Sequence, residues 1–228
     1  MHTTFSGSGP GIQTPDGCSV NLYRLLPYMG ELADIEHHLT THAAALELGC
    51  GPGRLCRRMQ ELGLQAAGVD ESIEMLAHLP AGVEGIESTI ESLNLGRCWP
   101  AVLLPSHLIN HPDTSVRKSF VQAARRHTQD AGTFYVKRHS PRWLSTVQAG
   151  QIGDSHGIAL HADHVARNGK LVTMTIRYAT AEQSWTQSFS TYALEQDEIE
   201  DLLMNCGFQG FQWLGAERLW VAAIAGDA

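Results

Sequence analysis

Three glycines on alternate positions, Gly49, Gly51 and Gly53, directly follow a short apolar run at residues 43–48 (AAALEL). An amphipathic pattern with helical spacing begins immediately after them, over residues 54–62. Glycine tolerates positive φ and has no side chain, so a turn of this composition can be tight and can let a ligand approach its backbone. The stretch therefore predicts a strand, a ligand-binding glycine turn and a helix.

Strands and helices then alternate along the first two thirds of the chain. Further strands are predicted at residues 64–70, 100–106 and 132–140, and an amphipathic helix at residues 114–128. This alternation is typical of an α/β fold, in which helices cover both faces of a mostly parallel sheet.

The pattern changes after Pro141. Two alternating segments flank Asn168-Gly169, a strong signal for a two-residue hairpin turn in which Arg167 pairs with Lys170. We expect one domain over residues 1–228. Its predicted parts are a flexible arm (1–19), an N-terminal lid or helix (20–42), a cofactor-binding core (43–140), an antiparallel substrate cover (141–193) and a closing helix with strands (194–228).

Composition excludes several classes of function. The formal net charge of −8 disfavours binding to nucleic acid, and no apolar run is long enough to cross a membrane. The five cysteines are scattered and form no C-x-x-C pair, which predicts reduced thiols and a cytoplasmic protein. No acidic residue follows the predicted strand at residues 100–106, so we expect no metal site there.

Two ligand classes use a glycine loop of this kind. The dinucleotide fingerprint G-x-G-x-x-G requires its third glycine where this chain has Arg54. Asp70, about twenty residues beyond the loop, can accept both hydroxyls of a ribose in either class. An NAD(P)-dependent reductase and a non-catalytic cofactor-binding protein therefore stay open as alternatives.

The run Glu47-Leu48-Gly49-x-Gly51-x-Gly53 resembles the first motif of class I S-adenosylmethionine-dependent methyltransferases. The segments at residues 68–72 (GVDES) and 89–91 (TIE) are similar to the next two elements of that family, with Thr89 where the family usually has Asp. The resemblance implies a Rossmann-like, mostly parallel sheet of seven strands in the order 3-2-1-4-5-7-6, with an antiparallel insert after the fifth strand. It also implies S-adenosylmethionine as methyl donor and S-adenosylhomocysteine as product.

The same resemblance implies which residues bind the cofactor. They are Glu47, Gly49, Cys50, Gly51, Gly53, Asp70, Glu71, Ser72, Met75, Thr89, Ile90, Glu91, Leu104, Pro105 and Ser106. Glu47 would offset the positive charge of the ligand. Tyr23 is a further candidate, because an aromatic residue in a segment apart from the core could close over the cofactor; core packing is the alternative.

The methyl acceptor is expected near the residues that follow the fourth strand of the sheet. The stretch at 104–107 reads Leu-Pro-Ser-His and lacks the Asn-Pro-Pro-Tyr motif of enzymes that methylate DNA amino groups. The layout is similar to small-molecule methyltransferases of the glycine N-methyltransferase and bacterial natural-product type. This implies an N- or O-acceptor on a small molecule or a peptide end, and a monomer or homodimer.

Histidine is suited to taking a proton from such an acceptor. His107 is the first candidate, followed by His111 and His139, although capping of helix ends would also explain them. Because methyl transfer is an in-line displacement, positioning of donor and acceptor can provide much of the acceleration.

Overall fold

The structure is a computed structural model that describes residues 5–226. The strands are β1 (Phe5–Ser8), β2 (Ala44–Leu48), β3 (Gln65–Asp70), β4 (Glu84–Glu87), β5 (Trp99–Leu104), β6 (Thr128–Lys137), β7 (Gly150–Ser155), β8 (Ile158–Asn168), β9 (Leu171–Ala179), β10 (Ser184–Tyr192), β11 (Phe208–Leu214) and β12 (Trp220–Ala225). The α-helices are α1 (Val20–Leu25), α2 (Glu36–Leu39), α3 (Arg54–Glu61), α4 (Ile73–Leu76), α5 (Thr114–His127), α6 (Pro141–Thr146) and α7 (Gln196–Met204), and a 3-10 helix spans Leu108–Asn110. Residues 1–4 of the predicted arm and residues 227–228 of the predicted closing segment lie outside the described residues.

Seven of the strands form one mixed sheet in the order β11-β12-β6-β5-β2-β3-β4. The strands from β6 to β4 are parallel, and β12 is antiparallel to both of its neighbours. Numbered along the chain within this sheet alone, the strands are arranged 3-2-1-4-5-7-6. The predicted Rossmann-like α/β architecture with a mixed seven-stranded sheet is confirmed.

The central strands of this sheet are apolar except for Glu47 in β2, as is typical of parallel strands that are buried on both faces. Leu48 at the end of β2 and Leu104 at the end of β5 are fully buried. Parallel strands all end on one edge of a sheet, and ligands of open α/β folds bind outside that edge. Asp70 and Lys137, which end β3 and β6, therefore lie at the same edge as the glycine loop after β2.

The other five strands form an antiparallel sheet in the order β1-β10-β9-β8-β7. The predicted hairpin is present between β8 and β9, but its predicted register is wrong. Asn168 pairs with Leu171, so the turn is Gly169-Lys170, with Gly169 at φ +58° in its first position. A register shift between Ala162 and His164 then places His161 opposite Arg177.

The flexible arm predicted over residues 1–19 needs correction from Phe5 onward. Residues 5–8 form β1, which pairs with residues 186–189 of β10, and the Trp185 indole donates a hydrogen bond to the Pro10 carbonyl at 2.9 Å. Strand pairing uses backbone groups, which every non-proline residue has, so a composition rich in glycine and serine did not reveal it.

The contacts divide the chain into two compact units, where the sequence suggested a single domain. One comprises the chain up to Met29 together with Ser140–Ala193, and the other comprises Gly30–His139 together with the chain from Leu194 onward. The smaller unit has a sheet and an apolar cluster of its own, whose buried members are Leu144, Val147, Ala162, Val172, Met174 and Ile176. A separate sheet with a separate core explains why it is a distinct unit.

Candidate active site

The glycine loop joins β2 to α3 through a left-handed backbone. The φ angles are +72° at Gly49, +53° at Gly51 and +80° at Gly53, in a region that costs other L-residues roughly 1–2 kcal/mol each. A Cβ on Gly53 would lie 2.5 Å from Leu79 Cδ2 and 2.7 Å from Pro80 Cδ. The loop therefore requires glycine at this position, and it leaves bare backbone at the amino end of α3, where anions are favoured.

Asp70 connects this loop to the end of β3. One carboxylate oxygen accepts a hydrogen bond from the Gly51 N–H at 2.7 Å, and the other accepts one from the Ser72 N–H at 3.0 Å. The Ser72 hydroxyl caps α4 by accepting from the Met75 N–H at 3.2 Å. Asp70 and Ser72 thus lie beside the loop as predicted, Glu71 is exposed next to them, and the Met75 side chain is buried in the core.

Glu47 lies in β2 with neighbouring strands on both sides, and only 2% of its surface is exposed. Its carboxyl accepts a hydrogen bond from the Cys56 thiol at 3.0 Å. Burial raises the pKa of Glu47 to about 8. The side chain is therefore largely protonated at neutral pH, and the negative charge that the sequence suggested is absent in this state of the protein.

The segment after β4 reaches the glycine loop through Ile90. A Cβ on Gly49 would lie 3.8 Å from Ile90 Cδ1. Thr89 is hydrogen-bonded to Ser92 through their hydroxyls at 2.8 Å, and Glu91 is exposed. Ile90 is thus close to the loop, and the adjacent Thr89 forms a hydroxyl pair with Ser92 where the resembling family has a carboxylate.

The chain leaves β5 through Leu104, Pro105, Ser106 and His107. Leu104 and Pro105 are buried and Ser106 is exposed. Ser106 and His107 have φ of +59° and +63°, a left-handed conformation that is uncommon for residues with side chains. This turn brings the His107 ring onto the chain that leaves β6.

His107 and His139 form a stacked pair of imidazoles. Their ring centroids are 3.8 Å apart and their planes differ by 19°. The Nδ1 atom of His107 is buried and has no hydrogen-bond partner among the described residues. The Arg138 backbone lies beside the same ring and partly offsets the depression of its pKa.

Both imidazoles of the pair are neutral at neutral pH. Burial, followed by the nearby His139 and Lys137, holds the pKa of His107 well below its ordinary value, and burial with Lys137 lowers the pKa of His139 to about 4. A neutral imidazole has one protonated and one unprotonated nitrogen. With the proton on Nε2, the Nδ1 atom of His107, which has no partner among the described residues, is a proton acceptor.

His111 lies four residues beyond His107, outside the stacked pair. Its Nδ1 accepts a hydrogen bond from the Asp113 N–H at 3.1 Å, and its ring packs edge-on against Phe120. Tyr23 belongs to the smaller unit, where its hydroxyl donates to Gln187 at 3.4 Å and accepts from the Cys18 thiol at 3.2 Å. Burial raises the pKa of the Tyr23 phenol well above its ordinary value.

Sequence reasoning missed two residues that shape the histidine pair. Asn110 is buried, and its Oδ1 accepts a hydrogen bond from the His139 N–H at 2.8 Å, which fixes the backbone beneath that ring. Lys137 lies 5.6 Å from the Trp220 ring and depresses the pKa values of both histidines. A lysine at the end of the otherwise apolar run TFYV was the available signal.

No group of three or more His, Cys, Asp or Glu side chains within residues 5–226 could hold a metal ion. Across the same residues, the helices are too short or too polar to span a bilayer.

No protein-family model and no curated protein matches this chain. Solved structures do match. The sugar N-methyltransferase KedS8 from Streptoalloteichus sp ATCC 53650 has 18% identity and a TM-score of 0.74, with 98% of this chain and 99% of that chain covered. The fold is that of S-adenosylmethionine-dependent methyltransferases.

Other structures with the methyltransferase fold agree. CalS10, an amino pentose methyltransferase from Micromonospora echinaspora solved with S-adenosylmethionine bound, has 18% identity and a TM-score of 0.70 over 90% of this chain and 94% of that one. The glycopeptide N-methyltransferase MtfA, complexed with S-adenosylmethionine, has 18% identity and a TM-score of 0.59 over 95% of this chain and 100% of that one. The predicted resemblance is thus confirmed at the level of the fold.

Proposed function

We propose that this chain binds S-adenosylmethionine and transfers its methyl group to a nitrogen or oxygen acceptor on a small molecule or a peptide end. The observation that carries the proposal is the Asp70 carboxylate bonded to the Gly51 N–H within a left-handed glycine loop. Asp70 can accept from ribose hydroxyls, while the bare loop at the amino end of α3 suits the carboxylate of a methionine moiety.

The residues present fit this ligand. The backbone at Gly53 has no room for even a methyl group, and loops of this kind bring backbone N–H groups close to a bound anion. Ile90 provides an apolar surface and Thr89 a hydroxyl for the adenine. In this assignment Glu47 is a buried carboxyl behind the loop. A bound cationic ligand would favour the ionised form of this carboxyl.

When bound, S-adenosylmethionine supplies an electrophilic methyl group on a sulfonium. The protein's part is to align the acceptor with that group and to remove the acceptor's proton where it has one. We assign the second task to His107, whose Nδ1 lone pair has no other partner. His139 and Asn110 act as positioning residues, because the stacking and the buried amide fix the ring's surroundings.

The acceptor is best proposed as an amino group on a small polar molecule. Three of the similar structures are a sugar N-methyltransferase, an amino pentose methyltransferase and a glycopeptide N-methyltransferase. Two neutral imidazoles favour an acceptor that arrives uncharged or gives up a proton at the site. The same proposal includes a cytoplasmic location and a monomeric or homodimeric state.

Calorimetry with S-adenosylhomocysteine, NAD and NADP tests the proposal, followed by a mass-spectrometric screen of amino sugars and peptide amines for a gain of one methyl group. We expect S-adenosylhomocysteine alone to bind. Binding of NADP with oxidation of its reduced form would favour the reductase, and binding of S-adenosylhomocysteine with no transfer to any acceptor class would favour a non-catalytic binding protein.

A further inference from the structure

Two cysteine thiols behind the glycine loop converge on one point. A Cβ added to Gly68 of β3 would lie 2.6 Å from Cys50 Sγ and 3.1 Å from Cys56 Sγ. The absent side chain of Gly68 thus makes room for both sulfur atoms. Both thiols are reduced, and each shifts the pKa of the other.

The two cysteines belong to elements of different rigidity. Cys50 lies in the glycine loop and is 5% exposed, whereas Cys56 is fully buried in α3. The Cys56 thiol also donates to the Glu47 carboxyl at 3.0 Å, which provides a neighbouring group able to exchange a proton. A loop thiol that can be oxidised beside a helix thiol that can resolve it is the arrangement that disulfide formation through a sulfenic acid requires.

We propose that Cys50 and Cys56 are a modification site, a dithiol that a peroxide or a small disulfide oxidises to an intramolecular disulfide, and that this bond weakens cofactor binding by the loop. The effect on cofactor binding rests on the proposed function, whereas formation of the disulfide between Cys50 and Cys56 does not.

With hydrogen peroxide the reaction has two steps. The Cys50 sulfur attacks one peroxide oxygen, the O–O bond breaks, and Cys50 becomes a sulfenic acid while one water leaves. The Cys56 sulfur then attacks the sulfur of Cys50, the S–O bond breaks, and the Cys56 proton leaves with the hydroxyl as a second water. Two thiols are oxidised by two electrons, and one peroxide is reduced to two waters.

The bond changes the loop because the sulfur atoms must approach to about 2.05 Å. Cys56 is held in a helix, so most of the movement falls on Cys50 and its loop neighbours. In the reduced protein the Cys50 N–H donates to the Val69 carbonyl at 2.9 Å and the Gly51 N–H donates to Asp70 at 2.7 Å. Displacement of Cys50 disturbs both bonds, and with them the cradle for the cofactor.

The environment of the thiols makes this reaction slow. The neighbouring Cys56 thiol lowers the pKa of Cys50, but burial and the Glu47 carboxyl outweigh this effect, so the pKa is raised. The Cys50 thiol and burial raise the pKa of Cys56 as well. Thiolates are the attacking species, so we expect faster disulfide formation at alkaline pH.

The test begins with the wild-type protein, treated with hydrogen peroxide, alkylated and analysed by peptide mapping. We expect an intact mass lower by two hydrogens and a cross-link between the peptides that contain Cys50 and Cys56. Cys56→Ser should lose this product, whereas Cys98→Ser, which removes an exposed thiol, should keep it. A map showing only over-oxidised Cys50, or links to other cysteines, would overturn the proposal.

Calorimetry with S-adenosylhomocysteine then compares the reduced, oxidised and re-reduced proteins. We expect affinity to fall at least about tenfold on oxidation and to return with dithiothreitol, a change of roughly 1.4 kcal/mol in binding free energy. Equal affinity of cross-linked and reduced protein would refute the effect on the loop. Failure of the reduced protein to bind would refute the proposed function instead, while the cross-link would still be decided by its mass.

Discussion

The glycine loop after β2 and the histidine turn after β5 both have left-handed backbone, but they reach it by opposite means. Gly49, Gly51 and Gly53 adopt positive φ without steric strain, whereas Ser106 and His107 do so with side chains present, at roughly 1–2 kcal/mol each. The loop's N–H groups at residues 49–51 are bonded to Val69 and Asp70 of β3, while the buried Nδ1 of His107 has no partner among the described residues.

This difference separates two kinds of functional element. The loop, which we propose as the cradle of the cofactor, reaches its left-handed conformation without steric strain because the residues at positive φ are glycines. The histidine turn contains strain and an unsatisfied polar atom, neither of which stabilises the folded state. Such features persist when a site needs them, and variants of the two regions should therefore affect different steps.

The largest effect is expected at the histidine turn. His107→Ala should lower turnover about 10²–10⁴-fold and leave affinity for S-adenosylhomocysteine nearly unchanged. The working form is the neutral ring, which is present above its pKa and lost below it. Because that pKa lies well below the ordinary 6.5, the rate should stay flat near neutrality and fall only under clearly acidic conditions.

Initial rates across pH check this prediction, with His111→Ala as the matched control, since that ring contacts Phe120 and lies outside the stacked pair. A wild-type rate that falls with a midpoint near pH 6.5, or unchanged turnover in His107→Ala, would contradict the assignment of His107 as base.

A cradle variant should show the reverse pattern. Gly53→Ala places a methyl group against Leu79 and Pro80 at a φ of +80°, so we expect affinity for S-adenosylhomocysteine to fall about 100-fold. Gly63→Ala is the matched control, because Gly63 has φ +89° but nothing within 4 Å of the added atom. Its cost should be limited to about 1 kcal/mol of stability. Equal loss of affinity in both variants would make backbone strain, and not the crowded loop, the cause.

Asp70 tests the polar side of the cradle. Asp70→Ala removes the acceptor for the Gly51 and Ser72 N–H groups and for the ribose, so binding of S-adenosylhomocysteine should weaken by about 1–3 kcal/mol. Asp70→Asn keeps one oxygen acceptor and should lose less. If titration calorimetry gives Asp70→Ala the wild-type affinity for S-adenosylhomocysteine, the assignment of Asp70 to the ribose hydroxyls is wrong.

The same contrast explains what could be predicted from sequence. The loop and Asp70 were recognisable because glycine spacing and a strand-end acid carry their meaning locally. The pairing of His107 with His139 could not be read in this way, since it arises only when β5 and β6 lie side by side and place two distant strand ends in contact. The register of the hairpin in the smaller unit was also not predicted, because Arg167 pairs with Val172 and not with Lys170, a shift of two residues.

Glu47 belongs to the cradle yet shares one property with the histidines, because burial keeps it uncharged. Its pKa is about 8 in the folded protein against an ordinary 4.5, so between these values the folded state holds one proton more than the unfolded state. Stability should consequently fall as pH rises through this window, by up to about 1.4 kcal/mol per pH unit. The buried histidines have the opposite effect on stability, but only below their ordinary pKa of 6.5. Between pH 6.5 and 8 we therefore attribute the pH dependence of stability to Glu47.

Urea unfolding across that range should show a clear decrease of the unfolding free energy with pH for the wild type and for the exposed Glu217→Gln control, and a smaller decrease for Glu47→Gln. Parallel curves for all three proteins would show that Glu47 is already ionised in the folded state, and the cradle would then be negatively charged before any cofactor binds.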